Sequence, residues 1–312
     1  MTHHHTRRRF LSISAAAIAV SGTGQHASPD VARWRGIALG AKCSLELVGV
    51  EASVAAPIFA AVQAELERLE GIFSLYRRNS EISRLNRVGH LEFPSPDLLA
   101  VLSTCDHMHA ATGGAFDPTV QPLFAIWARA IAEGRTPSTA EVSTARALVG
   151  WDGTTFDTGS VELARPGAAL TLNGIAQGYI TDRIAEVLRK QGLQNVLIDM
   201  GEISARGHAS GGVPWRAGIA DPGGTILKRI SLSGRALATS APKGTTLDKS
   251  GRIGHIFDPR SGGQASAASI ISVSASRAEV ADGLSTALCV LPGDKHGELM
   301  QAFPGARVEL NL

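Results

Sequence analysis

Aromatic side chains make up only 5% of this 312-residue chain, with two tyrosines and four tryptophans. Its core must therefore be mainly aliphatic, and a hydrophobic content of 44% is enough to build one and excludes global disorder. Cysteine is scarce as well. Cys43, Cys105 and Cys289 are odd in number and have no metal-like spacing, which excludes a complete disulfide framework. Neither sign of charge dominates: 30 basic residues face 28 acidic ones. Arg7, Arg8 and Arg9 hold the surplus, and beyond residue 27 the counts are 27 and 28. A body this close to neutral lacks the basic footprint of a nucleic-acid-binding protein. The chain also lacks internal repeats, low-complexity linkers and charge blocks, so one large domain or two closely integrated ones are expected. Glycine is plentiful, with 34 residues, as a chain with many tight turns requires.

Long apolar runs are missing too. Ile13–Val20, interrupted by Ser14, falls far short of the ~18–20 residues that span a bilayer, so no permanent membrane span is expected. That run directly follows Thr6-Arg7-Arg8-Arg9-Phe10-Leu11. A basic start, a short apolar stretch and small residues after it describe a secretory signal, and the paired arginines resemble the twin-arginine type. Residues 1–27 are expected to be this leader, residues 28–312 the mature body, and the periplasm its compartment.

Hydrophobic periodicity places one or two strands between Trp34 and Val48 and a helix over residues 52–72. Pro96 opens a helix running to about Thr112, and another is expected from Thr119 to Ala132. Ser138 and Glu141 form a capping box for a helix reaching about Val149. Strands are expected at Leu170–Leu172, Asn195–Met200, Trp215–Ala220, Ile226–Leu232, Ala236–Thr239, Ile253–Phe257 and Ser269–Ala275. Helices are expected from about Ile175 to Gln191, stopped by Gly192, and from Ala278 to Leu291. Strands and helices mix without strict alternation, which points to an α+β fold with mixed or antiparallel sheets and packed helices.

Three clusters carry possible chemistry. On the last helix, Asp282 and Thr286 lie one turn apart, opposite Val280, Leu284, Ala287, Leu288 and Leu291. Paired carboxylate and hydroxyl oxygens suit a hard cation such as Mg²⁺; a solvated polar face is the alternative. His255-Ile256-Phe257-Asp258-Pro259-Arg260-Ser261-Gly262-Gly263 puts His255 where it could act as a base or meet a phosphate, although Asp-Pro and Ser-Gly-Gly are also ordinary turn chemistry. Asn173-Gly174-Ile175-Ala176-Gln177-Gly178-Tyr179 sits at a strand-to-helix transition, where backbone amides can approach an anion. It is neither G-x-G-x-x-G nor a P-loop. Tyr76 and Ala115-Phe116-Asp117 could contact a planar ligand or be core residues. His107 and His109 do not share a helix face and read as surface residues.

Taken in order, Ser74-Leu75-Tyr76-Arg77 with Ser80 to Asn86, Gly114 to Leu123, Gly174 to Tyr179 with Asp182, Thr239-Ser240, His255 to Gly262 and Ala281 to Leu288 resemble the ApbE family. The resemblance spans about residues 34–293. It implies an α+β, T-fold-related architecture with FAD in a cleft between subregions, and an FAD:protein FMN transferase that depends on Mg²⁺. By position, Leu39, Tyr76, Ala115, Phe116, Asp117, Thr171, Gln177 and Ile256 correspond to its FAD-contacting sites. Asp282 and Thr286 correspond to its metal ligands, and Gly174 can add only its backbone carbonyl. Gln177 stands where many members carry Lys or Glu, Leu39-Gly40-Ala41 replaces Met-Gly-Thr, and Thr171 takes a commonly acidic position. The Gln variant with a twin-arginine leader resembles the NosX-like branch, periplasmic accessory proteins of nitrous-oxide respiration. The implied partner is then a membrane-bound flavoprotein with a Thr or Ser acceptor site. The implied reaction is attack of that hydroxyl on the FMN phosphorus with release of AMP, helped by His255 or Asp258. Two other readings use the same residues: a non-catalytic flavin carrier, and a Mg²⁺-dependent FAD pyrophosphatase.

Overall fold

The computed structural model describes residues 17–19, 31–266 and 269–312. Apart from residues 17–19, the expected leader lies outside the described residues. Strands β1 (Ala17–Ala19), β2 (Val31–Ala38) and β3 (Ala41–Val48) precede helices α1 (Ala52–Phe73) and α2 (Glu81–Val88). Next come β4 (His90–Glu92), α3 (Pro96–Ala111), α4 (Gln121–Ala132), α5 (Thr139–Arg146), β5 (Thr154–Phe156) and β6 (Ser160–Leu163). Helix α6 (Ala176–Lys190) leads into β7 (Val196–Asp199), β8 (Ile203–Arg206), β9 (Trp215–Ala220), β10 (Ile226–Leu232) and β11 (Arg235–Ser240). The chain ends with β12 (Ile271–Ala275), α7 (Ala278–Val290), α8 (His296–Ala302) and β13 (Arg307–Asn311).

A seven-stranded antiparallel sheet, ordered β13-β12-β11-β8-β7-β3-β2, forms the centre. Side-chain alternation divides two cores between its faces. Val196, Ile198 and Ala238 join the larger core with α1, α3, α6 and α7. Leu197, Ile203, Ala205 and Leu237 pack instead with Trp215, Ala217, Ile219 and Leu232 of the β1-β9-β10 sheet. Strands buried on both faces explain the unbroken apolar runs here. A smaller β4-β6-β5 sheet and helices α2 to α5 complete the α+β arrangement.

The hairpin between β2 and β3 turns through Leu39 and Gly40, at φ 46° and 82°. Two positive φ values make the primed turn that matches strand twist. Leucine is disfavoured there by ~1–2 kcal/mol, and the Glu70 carboxylate restrains the turn by accepting the Leu39 N–H at 2.8 Å. Helix α5 carries both halves of the Ser138/Glu141 capping box.

Two expected strands are absent. Leu170–Leu172 forms no ladder, because the Asn86 side chain engages both the N–H and the carbonyl of Leu170, each at 2.7 Å. Ile253–Phe257 makes only the single pairings Thr246–Gly254 and Phe257–Gln264. The ladder does not extend between them, because the His255 N–H donates to the Pro242 carbonyl instead. The helix expected from Thr119 is a 3₁₀ turn at Pro118–Val120 followed by α4. Among the described residues no helix is long and apolar enough to cross a membrane.

Candidate active site

A cavity of about 300 Å³ opens where the Tyr76 loop, the Ala115–Val120 segment, the start of α6, the end of β11, the His255 segment and α7 meet. Its walls include Tyr76, Ala115, Phe116, Asp117, Thr171, Gly174, Gln177, His255, Ile256, Asp282 and Thr286, all anticipated from sequence. Leu39 and Asp258 are outside the lining. Leu39 sits at the hairpin tip and is linked through Glu70 to Arg77, beside Tyr76. Asp258 is occupied by Arg260, whose backbone N–H and Nε reach one oxygen at 2.9 Å and whose Nη2 reaches the other at 3.1 Å. Burial works to raise the Asp258 pKa, but these Arg260 contacts hold it below the usual carboxylate value.

Local sequence explains each placement. The Tyr76 loop is pinned because Ser80, the N-cap of α2, and Ser83 both donate to the Ser74 carbonyl, at 2.6 and 3.2 Å. Asn86 holds the segment that presents Thr171. The Asp117 carboxylate accepts from the N–H and hydroxyl of Thr119 at 2.8 and 2.5 Å, which fixes the turn after Phe116. Phe257, at the cavity wall, stacks on Trp127 with centroids 5.7 Å apart and meets Phe124 edge-on.

Beside the cavity, helices α6 and α7 pack closely. A Cβ on Gly178 would lie 2.4 Å from the Ala278 carbonyl oxygen, so only glycine permits the contact. There the Gly178 N–H donates to Asp282 at 3.0 Å. A Cβ on Gly174 would come within 3.0 Å of the Thr286 hydroxyl, which puts the Gly174 backbone directly over that side chain. Asp282 is 3% exposed, so it does not lie on a solvated helix face. Burial raises its pKa to about 7, countered in part by the Gly178 N–H and reinforced by Asp182. Asp182 itself is raised to about 6 by burial while it accepts the Ala278 and Glu279 N–H groups at the start of α7.

His255 is set for acid–base work. Its Nδ1 lies 3.1 Å from both the Pro242 and Thr245 carbonyls, contacts that require Nδ1 to carry a proton and leave Nε2 as the basic nitrogen. Burial lowers its pKa despite the two carbonyls, which favours the neutral ring.

Glu202 and His109 were not legible as participants, and Ser240 entered only within the Thr239-Ser240 motif of the family resemblance. Glu202, between β7 and β8, lines the cavity. Burial, then the charges of Asp282 and Asp199, push its pKa far up, and its Oε2 has no partner. Its only sequence cue is an acid in Met200-Gly201-Glu202, flanked by apolar strands. Ser240 hydrogen-bonds the hydroxyls of Ser285 and Thr286 at 2.7 and 3.2 Å. His109, expected at the surface, is half-buried: its Nδ1 sits 3.1 Å from the Phe116 carbonyl and 3.7 Å from Asp117. His107 is exposed, as expected.

The lining includes the carboxylates Asp117, Glu202 and Asp282 and no Lys or Arg among the described residues. An anionic substrate would thus need a cation, and the oxygen donors on the lining fit a hard one: Asp282, the Thr286 hydroxyl and the backbone of Gly174, with an unpartnered carboxylate oxygen of Glu202 on the same lining. No group of three or more His, Cys, Asp or Glu forms a metal site among the described residues, so hydroxyl and carbonyl donors would be essential.

The chain matches the model of the ApbE family over residues 39–308. It is 32% identical over 257 residues to the FAD:protein FMN transferase of Haemophilus influenzae, covering 77% of this chain and 74% of that protein. The Vibrio cholerae protein of the same name is 31% identical over 243 residues, covering 74% and 72%. Among solved structures, the apo flavinyl transferase ApbE of Pseudomonas stutzeri superimposes with TM-score 0.76 at 29% identity, over 87% of this chain and 88% of that one. The apbe protein of Thermotoga maritima gives TM-score 0.79 at 27% identity, over 89% and 93%.

Proposed function

The chain belongs to the ApbE family, and from that premise we propose that it moves FMN from FAD to a Thr or Ser hydroxyl of a partner protein, releasing AMP. The observation that carries this reading is one cavity whose lining holds Gly174, Asp282 and Thr286 together with Tyr76, Phe116 and Phe257. A dinucleotide needs both parts: aromatic and apolar walls for its rings, and a cation-ready floor for its diphosphate.

Tyr76, Ala115, Phe116, Asp117, Thr171, Gln177 and Ile256 line the FAD cleft in this reading, with Leu39 at its rim. The His255 Nε2 takes the proton of the acceptor hydroxyl as its oxygen bonds to the FMN-side phosphorus and the bond to AMP breaks. Such transfers depend chiefly on positioning and charge neutralisation. Asp282 and Thr286, with the Gly174 carbonyl, would hold Mg²⁺, which when bound would offset negative charge on the diphosphate. Asp258 keeps the turn after His255 in place through Arg260. The Arg7-Arg8-Arg9 leader supports export to the periplasm, and Gln177 together with that leader supports a NosX-like role with a membrane-bound acceptor of nitrous-oxide respiration.

Incubating the protein with FAD, Mg²⁺ and a candidate acceptor should add the mass of FMN to the acceptor, and Asp282→Ala should abolish the addition. Full transfer by Asp282→Ala would remove the metal assignment. Cleavage of FAD without any acceptor would indicate a pyrophosphatase, and binding without cleavage a carrier.

A further inference from the structure

Glu202 is 5% exposed, lines the cavity and has an oxygen, Oε2, that is buried without a hydrogen-bond partner. Leaving a buried acceptor unmade costs about 1–3 kcal/mol and more for a charged group, so the arrangement implies a missing donor. The position is fixed by the fold. The Thr181 hydroxyl contacts the carbonyls of Gln177 and Glu202 at 2.8 and 3.2 Å, tying α6 to the β7–β8 turn. Gly201, at φ 103°, would place a Cβ 2.3 Å from the Gln177 amide nitrogen, so that side chain fits against bare backbone. Gln177 Nε2 is likewise buried and unpartnered on the same lining. Asp282 is the near charge on one side and Asp199 on another. No Lys or Arg among the described lining residues balances Glu202 and Asp282.

A substrate hydroxyl or a metal-bound water could supply the missing donor. The uncompensated pair of acids favours the water: a divalent ion at Asp282 supplies the absent positive charge, and such ions normally retain waters whose hydrogens need acceptors. We infer that Glu202 is an outer carboxylate of the cation site, accepting a hydrogen bond from water on the metal held by Asp282 and Thr286, so that the cavity takes up a divalent cation before substrate arrives. The inference rests on the metal reading above and adds to it a residue and an order of binding.

The test uses Mn²⁺ alone and the full chain without flavin, reading bound ion from loss of the free Mn²⁺ paramagnetic resonance signal. Wild type should bind in the absence of FAD, and Glu202→Gln should weaken binding by about 10–100-fold. A thermal melt without cation should show Glu202→Gln at least as stable as wild type, because the change removes a buried acid beside Asp282 and keeps the shape. Unchanged Mn²⁺ affinity in Glu202→Gln overturns the inference. If Asp282→Ala has meanwhile lost the ion, the metal site itself stands. Unchanged affinity in both variants sinks the site as well. Flavin binding in EDTA that falls in Glu202→Gln while Mn²⁺ affinity holds would reassign Oε2 to a substrate hydroxyl and also overturn the inference.

Discussion

Two clusters of charged side chains meet helix α6, and they have opposite electrostatics. On one side Asp97 accepts from Arg68 at 2.7 Å and from the Tyr179 hydroxyl at 2.8 Å, while Arg68 also holds Glu65 at 2.8 Å. Arg183 lies 3.6 Å from Asp97 and pairs with Glu186. Arg68 draws the Glu65 pKa down, and at Asp97 Arg68 and Tyr179 outweigh burial with the same result. On the other side Asp182, Asp199, Glu202 and Asp282 are all shifted upward, burial being the largest cause in each. One cluster brings several cations of its own; in the other, among the described residues, only Asp182 has an arginine near it, Arg277 at 3.9 Å, which also pairs with Glu279. Carboxylates paired with arginine brace the fold, whereas Glu202 and Asp282, on a cavity lining with no Lys or Arg among the described residues, are arranged for something that binds.

Substitutions on the two sides should therefore act on different quantities. His255→Gln, on the cavity side, should lower kcat by about 10²–10⁴-fold with little change in melting temperature. Because the working form is the neutral ring with a lowered pKa, wild-type activity should fall only as pH drops below the usual histidine value of 6.5, and the variant should lose that limb of the profile. Asp97→Ala, in the paired cluster, should cost about 1–3 kcal/mol in urea unfolding by leaving the Tyr179 hydroxyl without its acceptor and removing one of the carboxylates that Arg68 and Arg183 face. Its transfer rate should be unchanged; a selective loss of transfer would blur the contrast between the clusters.

Asp199→Asn should do the reverse and stabilise. The folded pKa of Asp199 is about 6 against a usual 3.8, so its contribution is fully present below 3.8 and is lost as pH rises through 6. The amide should add roughly 1–2 kcal/mol at pH 7.5 and flatten the stability profile between those values, as followed by thermal melts across pH. The smallest effect belongs to a site remote from both clusters: Ser138→Ala removes one half of the α5 capping box, with an expected loss of about 1 kcal/mol in the same melts and none in FAD affinity.

Elements with a local cause were legible in the sequence. The α5 capping box and the Gly192 stop after α6, at φ 80°, appear where the pattern puts them, and the alternation from Trp34 to Val48 resolves into the two strands β2 and β3. Elements with a distant cause were not. Leu170–Leu172 is apolar enough for a strand, but its hydrogen bonds go to Asn86, 84 positions away. Strand β13, with its polar Arg307, Glu309 and Asn311, exists because β12 offers it an edge. Strands β4 and β5 have three residues each, too few for a period to show. The same division holds at the cavity. Ordered motifs pointed to most of its lining, whereas Glu202 and His109 acquire their roles only when β7, β8 and α3 bring them against Asp282 and Phe116.

Cys43, Cys105 and Cys289 are free and buried. Burial pushes the thiols of Cys43 and Cys289 up to about 12 and that of Cys105 well above its usual value. Since only the thiolate attacks, alkylating reagents and disulfide exchange should pass these side chains by while the protein stays folded. A cysteine introduced at exposed Ile37 or Phe93 would then react alone, which makes the native sequence a ready background for attaching a single fluorophore.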